Sequence, residues 1–526
     1  MKQPTSPITL PPQPDPAVQE TSFEPDTSPI LSSSRDEENT PNYGSVARGP
    51  PPSTSAPAPA PARALAPDLL RGLLMAFMAL DHTSLMLRSW PHGTAIDGEN
   101  DSAPVHEWNR PAAYVIRTLT HLCAPGFTFL LGMGVVYFGR SRTSRPPDKR
   151  WTTGQLAWHF LVRAVVLTII SSIMGLAVSG GKVWFLNMVL FSLAVDYLMA
   201  GLTWMAVVKT ERLLAFTVLK VLPLSKKDDV TEPLLPGPEP QLHGEEEMAP
   251  DVEIIRAADI SWHIHNVFLA VAAVVMIWWN IWLSPTGGRC GVDPTPKLPE
   301  SDWIKIWFYP IMDHRIKSGF PPLAWMSFAV LGLLYGRIIL ARAWSPKAIT
   351  LGNVLAGLGF LLVFVFTRIF HIGNLSEGCL GMAEHQHGGD QYLASVKSFF
   401  YLTKYPPDVA FWAFTMAGNH VLLAFFGALP PLFASKAFHV LLVYGTSALF
   451  FYIVHIFMLG ALSFPIIALI GREVSDPFSK QPAQGVDQLW GFFLTWTLLL
   501  ALLYPLCRWY GGFKKAKGPD SIWRFF

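Results

Sequence analysis

The chain has 526 residues, 51% hydrophobic and 15% charged, and its 40 basic against 38 acidic residues leave a net charge of +2. With a mean hydropathy of +0.31, this composition excludes a soluble globular protein of such length and indicates an integral membrane protein. The near-neutral balance, with no basic run interleaved with aromatics in a soluble segment, sets nucleic acid aside as a partner.

Residues 1–62 are rich in Pro, Ser and Thr, cannot bury enough apolar surface to offset chain entropy, and read as a disordered tail. They lack the apolar core and cleavage site of a signal peptide, so the first insertion signal falls in the stretch that opens at Asp68. Across 63–526, apolar windows of about 20 residues recur near 67–88, 112–138, 155–178, 184–208, 263–284, 319–341, 347–370, 408–432, 436–462 and 488–508. The expected fold is all-α, a polytopic integral membrane helical bundle of about ten transmembrane helices. Between the fourth and fifth windows, the acidic, Pro-rich stretch at about 223–254 reads as a disordered loop.

Basic residues set the direction of the spans. Arg140, Arg142, Arg145, Lys149 and Arg150 follow the second window, Lys209 and Arg212 the fourth, and Lys514, Lys515 and Lys517 the last. The positive-inside rule makes that side cytoplasmic, and both termini and the acidic loop go with it. The membrane itself is expected to be the plasma membrane or an endomembrane such as the vacuolar one. Opposite loops hold Cys290 and Cys379, where a disulfide can persist. They also hold Asn374 of the sequon Asn374-Leu375-Ser376, where glycosylation is topologically allowed.

Charge inside a span is expensive and marks a functional site by default. Arg71 and His82 lie eleven residues apart in the first window, which on a helix returns them to within about 20° of one face, about 16.5 Å apart along the axis. Asp81 precedes His82, and the orientation brings Arg117 and His121 of the second window and His455 of the ninth to a similar depth. Blander readings stand beside this one: an Arg near a span end such as Arg71 can snorkel to the headgroups, and a lone intramembrane His such as His420 or His455 often only bonds a backbone carbonyl. His385 and His387 resemble a metal-ligand pair, but no third ligand accompanies them and no metal is assigned.

Six stretches in order, RGLLMAFMALDH at 71–82, THLCAPGFTFLLG at 120–132, FPPLAWMSFAVLGLLYGR at 320–337, TKYPP at 403–407, ALFFYIVH at 448–455 and LYPLCRWYGGFKK at 503–515, carry a resemblance. From about residue 63 to the end, the acidic loop apart, the chain resembles an uncharacterised bacterial and fungal membrane family grouped with the catalytic domain of heparan-alpha-glucosaminide N-acetyltransferase. The resemblance implies a transmembrane acyltransferase that takes an acyl group, acetyl in the heparan enzyme, from cytoplasmic acyl-CoA and delivers it to an acceptor across the membrane. Arg71 and His82 also resemble the Arg-ten-residues-His signature of the broader membrane O-acyltransferases, in which the His is catalytic. The heparan enzyme has an Asn where this chain has His82, an Asp where it has His121, and its catalytic His in the first loop, which here holds His92 and His106.

An imidazole poised near neutral pH can take the proton that an acceptor loses as it attacks a thioester. The expected catalytic set is therefore His82 as base with Asp81, His121 and the loop His106, and Arg71, Arg117 and His455 are assigned to the donor acyl-CoA. Guanidinium suits a CoA phosphate, and the reach from Arg71 to His82 is commensurate with pantetheine. The acceptor is expected to be a small molecule, a glycan or a membrane lipid bearing a hydroxyl or amine. The alternative is a proton-coupled transporter or lipid flippase in which these groups relay protons, although no internal repeat points to one.

Overall fold

The computed structural model describes residues 65–90, 99–187, 189–221, 252–294, 298–382, 389–476, 481–518, 521 and 523. The tail expected at 1–62, His92, and the pair His385 and His387 lie outside the described residues, as does the acidic stretch at 223–254 up to residue 251. Its last residues begin a helix instead.

Arg63–Phe526 forms one compact unit, built almost entirely of helices. In order these are α1 (Leu65–Met86), α2 (Pro111–Thr120), α3 (Cys123–Thr143), α4 (Thr153–Val178), α5 (Leu190–Val221), α6 (Val252–Trp282), α7 (Asp302–Phe308), α8 (Pro322–Ala341), α9 (Pro346–Phe370), α10 (Val396–Phe399), α11 (Val409–Ala428), α12 (Pro431–Ala437), α13 (His439–Thr446), α14 (Ala448–Ile470) and α15 (Leu489–Ala516). Among the described residues, ten helical stretches, with α2 and α3 counted as one, are long and apolar enough to cross a bilayer. Helices satisfy their own backbone polar groups, which lipid cannot do, so the bundle is an all-α polytopic membrane architecture.

Among the described residues, two small sheets edge the loops. β1 (Phe185–Asn187) pairs parallel with β3 (Ile316–Ser318), which pairs antiparallel with β2 (Ile311–Met312), in the order β1-β3-β2. β4 (Arg472–Ser475) pairs antiparallel with β5 (Pro482–Gly485), Arg472 opposite Gly485.

Local signals set the helix starts. Thr152 and Gln155 make a reciprocal capping box at α4, Ser345 accepts from the Ala348 amide at α9, and the Asp408 side chain accepts from the Phe411 amide at α11. Pro125 breaks the second span. With no N–H, and with a ring that would collide with the carbonyl four residues back, it cannot continue a helix through His121. The chain accordingly steps from α2 to α3 at His121 and Leu122.

α1 lies among α2, α3, α11, α13, α14 and α15. Leu69, Leu70, Leu74 and Ala79 are fully buried there. Gly72 and Gly445 let α1 and α13 touch backbone to backbone: a Cβ on Gly72 would meet the Leu441 carbonyl oxygen at 1.9 Å, and one on Gly445 the Asp68 carbonyl oxygen at 2.0 Å. Small residues of this kind allow close helix crossing in lipid. This contact changes the expected ninth span. Residues 436–446 hold the end of α12 and all of α13, packed against the start of α1, and the long helix begins only at Ala448, because Ser447 interrupts the helix and hydropathy windows do not register such breaks.

The loops between α1 and α2, α6 and α8, and α9 and α11 braid at one end of the bundle, called here the loop end. Cys290 and Cys379 are joined by a disulfide with Cα atoms 5.1 Å apart. Bridges pair Asn100 with Tyr405, Val105 with Leu380 and Arg289 with Glu377. Arg368, fully buried, donates to Asn374 Oδ1 at 2.8 Å and to the Tyr401 carbonyl. Asn374 is itself 2% exposed, and its Nδ2 donates to the Thr367 carbonyl and Glu377 Oε1 at 2.9 and 2.8 Å. The glycan expected at Asn374 is therefore incompatible with this fold, since both faces of the amide are used and no surface is offered.

Candidate functional site

Asp81 and His82 are adjacent near the loop end of α1, so their side chains point about 100° apart and enter separate clusters. Asp81 belongs to a buried ion network. Arg117 NH1 donates to Asp81 Oδ1 and Oδ2 at 3.0 and 3.1 Å, and Thr120 donates to Oδ1 at 3.1 Å. The other side of the same guanidinium grips Glu99, with Nε 3.1 Å from both oxygens and NH2 2.7 Å from Oε2. Glu99 Oε1 then lies 2.9 Å from His121 Nε2.

Glu99 comes from the loop between α1 and α2, and its main-chain carbonyl is held by the amides of Lys404 and Tyr405 at 2.9 and 3.1 Å. Burial alone would raise its carboxyl, but the charges of Arg117 and His121 and their hydrogen bonds hold it well below the usual carboxylate range. Glu99 is thus an anion at neutral pH and accepts from His121 Nε2–H. That fixes the tautomer: the neutral His121 ring carries its lone pair on Nδ1. His121 Nδ1 has no hydrogen-bond partner among the described residues, and neither do the buried Tyr401 Oη and Thr403 Oγ1. His121 and Tyr401 line one narrow opening, together with Tyr114, Thr118 and Phe400, whose free space of about 10 Å³ is room for about one water. A group no larger than a water or a single hydroxyl there would find a basic nitrogen and a phenol donor that have no partner among the described residues.

His82 belongs to the second cluster. Its Nδ1 lies 2.8 Å from His455 Nε2, with the rings stacked 5.1 Å apart. His455, fully buried, has its Nδ1 3.1 Å from the Phe451 carbonyl, which can only accept. His455 therefore donates from Nδ1 and accepts on Nε2, and neutral His82 donates from Nδ1 and carries its basic lone pair on Nε2. α1 is continuous from Arg71 to His82. At the far end of that stripe, Arg71 donates to Asp68 Oδ1 at 2.9 Å and to the Gly445 carbonyl at 3.5 Å.

Two expected roles need correction, and His106 and His420 lie apart from both clusters. Arg117 cannot serve as a phosphate ligand for the donor, because both faces of its guanidinium are taken by Asp81 and Glu99. His455 is sealed behind His82, which makes it a positioning group rather than a donor contact. His106 is exposed at the loop end against Gly381; among the described residues no hydrogen bond or ring contact links it to either cluster. His420 bonds Asn353 at 2.9 Å among Phe129, Tyr335 and Phe360 rings, as a packing histidine does.

Glu99, Tyr401 and Thr403 were not singled out by the sequence. The only hint was the TKYPP stretch at 403–407, whose Thr403 carries one of the unsatisfied hydroxyls and whose Lys404 and Tyr405 amides hold Glu99. Among the described residues, no group of three His, Cys, Asp or Glu side chains converges on a point that would hold a metal ion.

Fold and site together define a polytopic helical membrane protein with a buried carboxylate–arginine–histidine network at one end. Compared with known proteins, the chain matches no family model and no curated protein.

Proposed function

We propose that this protein is a membrane acyltransferase that moves an acyl group, acetyl in the simplest case, from acyl-CoA on the basic, cytoplasmic side to a hydroxyl or amine acceptor at the loop end. The observation that carries the reading is His121, oriented by the ionised Glu99 and presenting an Nδ1 that has no partner among the described residues, on an opening that Tyr401 also lines. This is the logic of a carboxylate-backed imidazole base, and it moves the base from His82 to His121.

In the reaction, the acceptor oxygen or nitrogen attacks the thioester carbonyl carbon while its proton passes to His121 Nδ1, where Glu99 stabilises the imidazolium. The carbon–sulfur bond breaks, and the thiolate takes a proton from solvent to leave as the CoA thiol. His82, fixed by His455, borders the donor half of the stripe that ends at Arg71. Arg71 binds a CoA phosphate there by sharing itself with Asp68. The six ordered motifs and the one-sided basic loops support the same reading. Its test is transfer of radiolabelled acetyl from acetyl-CoA by the purified full chain in lipid nanodiscs, with His121→Ala as the inactive control.

One observation favours a second reading, a proton-coupled transporter. Asp196, fully buried in α5, has no hydrogen-bond partner on either carboxylate oxygen among the described residues, and isolated intramembrane carboxylates mark proton paths. Uptake into proteoliposomes driven by a pH gradient, without acyl-CoA turnover, would select it.

A further inference from the structure

We propose that the larger cavity at the loop end binds an uncharged lipid with a hydroxyl-bearing headgroup, and that this lipid is the acyl acceptor. The inference rests on the acyltransferase reading for the word acceptor, and on the cavity itself for the lipid. The cavity offers about 360 Å³ of free space, within the range of small-molecule sites but near its lower end, and its two walls differ in chemistry.

One wall is polar. Asn100, Asp101 and Ser102 come from the loop after α1, and Thr286 from the turn after α6. Ser102 Oγ donates to Asp101 Oδ1 at 2.7 Å and also contacts Thr286 Oγ1, so the polar groups are tied together before any ligand arrives. Burial pushes the Asp101 carboxyl up, against the hydrogen bonds of Ser102 and Ser284. No Lys, Arg or His stands among the described residues that line the cavity. Among these described residues a phosphate or sulfate group would meet the Asp101 carboxyl and no cation, a juxtaposition that disfavours it. Hydroxyls fit, since they both donate to and accept from Asp, Asn, Ser and Thr.

The other wall is apolar, with Leu283, Phe308, Tyr309 and Met312. It is continuous with α7, which turns Trp303 outward at 71% exposure. Met312 is 75% exposed. Tryptophan is enriched at membrane–water interfaces, where its amphipathic ring sits at the headgroup level. On this reading the cavity has a headgroup wall and a tail wall, the second beside the exposed Trp303 and Met312, where a lipid would enter sideways. A water-soluble sugar would use only the first.

The polar wall is wired to the catalytic network. Asn100 follows Glu99 in the chain and pairs with Tyr405, the Asp101 amide donates to the Tyr405 carbonyl at 3.1 Å, and the Tyr405 amide donates to the Glu99 carbonyl at 3.1 Å. Tyr405 also lines the cavity.

The test uses wild-type full chain in nanodiscs and a monoacylglycerol carrying a diazirine in its acyl chain, with photolabelled peptides mapped by mass spectrometry. Label should concentrate at residues 283–286 or 308–312 and fall at least tenfold when monooleoylglycerol competes. Lysophosphatidic acid of the same chain length, or glucose at the same concentration, should leave it. Uniform labelling of lipid-facing helices, equal competition by lysophosphatidic acid, or equal competition by glucose would each overturn the lipid assignment. The parent reading is scored separately in the same preparation by transfer of radiolabelled acetyl. Transfer to a soluble amine with no cavity labelling contradicts the lipid inference and leaves the acyltransferase standing. Cavity labelling with no transfer to any acceptor contradicts the acyltransferase and leaves the lipid site.

Discussion

Glu99 and His121 share a 2.9 Å hydrogen bond that is buried on both sides, with Glu99 contributed by a loop and His121 by the break between two helices. The bond sets the tautomer of the ring, so Glu99→Gln removes both the orienting charge and the stabilisation of the imidazolium. Acetyl transfer should fall by about 10²-fold or more, with kcat reduced and KM for acetyl-CoA little changed. Steady-state kinetics on the purified variant check it; an unchanged kcat would detach Glu99 from the chemistry.

Arg117 compensates two carboxylates at once. Arg117→Met leaves Asp81 and Glu99 buried without their cation, a change that costs about 3–5 kcal/mol when one partner of a buried pair is removed. Thermal unfolding in detergent should show a clear loss of stability. Neutralising the carboxylates in the triple variant Asp81→Asn, Glu99→Gln, Arg117→Met should recover part of it.

The pair of His82 and His455 should act as one unit. Each alanine variant should lower transfer, and the double variant should cost little more than the worse single one, because residues in direct contact couple by about 0.5–3 kcal/mol. Fully additive effects in the double-mutant cycle would mean that the 2.8 Å contact is not used.

Much of this arrangement was legible in the chain, but unevenly. The spans were readable because twenty apolar residues have few other uses. The shared depth of Asp81, His82, His121 and His455 followed from counting along helices of alternating direction, and the Cys290 and Cys379 pair from the side on which both loops fall. Glu99 was not legible: it is one carboxylate in a polar loop, and its role depends on strand-like contact with residues three hundred positions away, around Lys404. Asn374 misled for a related reason, since a three-residue sequon says nothing about burial. The late start of α14 escaped because a hydropathy window runs smoothly across Ser447.

At the loop end, His371 bridges Glu377 and Asp390 at 2.8 and 2.9 Å. Burial works against its charge, but the two hydrogen-bonded carboxylates outweigh it and raise the imidazole above its ordinary value. The stabilisation is therefore complete below about pH 6.5, the unfolded histidine value, and is lost as pH rises through the folded value. Melting temperature should decline from pH 6.5 to 8 in the wild type and be flatter in His371→Gln. Parallel profiles for the two proteins would dismiss the bridge.

Asp196 tests whether the bundle contains a second charged site. If the carboxylate only burdens the fold, Asp196→Leu should raise stability by about 1 kcal/mol or more, since an unsatisfied buried polar group costs about 1–3 kcal/mol, and acetyl transfer should be unchanged. Loss of function without loss of folding would favour the transporter reading instead.

The most direct test of the acyltransferase account is single-turnover transfer of radiolabelled acetyl from acetyl-CoA by the nanodisc-embedded chain, comparing wild type with His121→Ala at equal melting temperature. The account predicts measurable transfer by the wild type and a loss of about 10²- to 10⁴-fold in the variant, the range associated with a positioned general base. Transfer by His121→Ala at near wild-type rate, or none by the wild type, would contradict it.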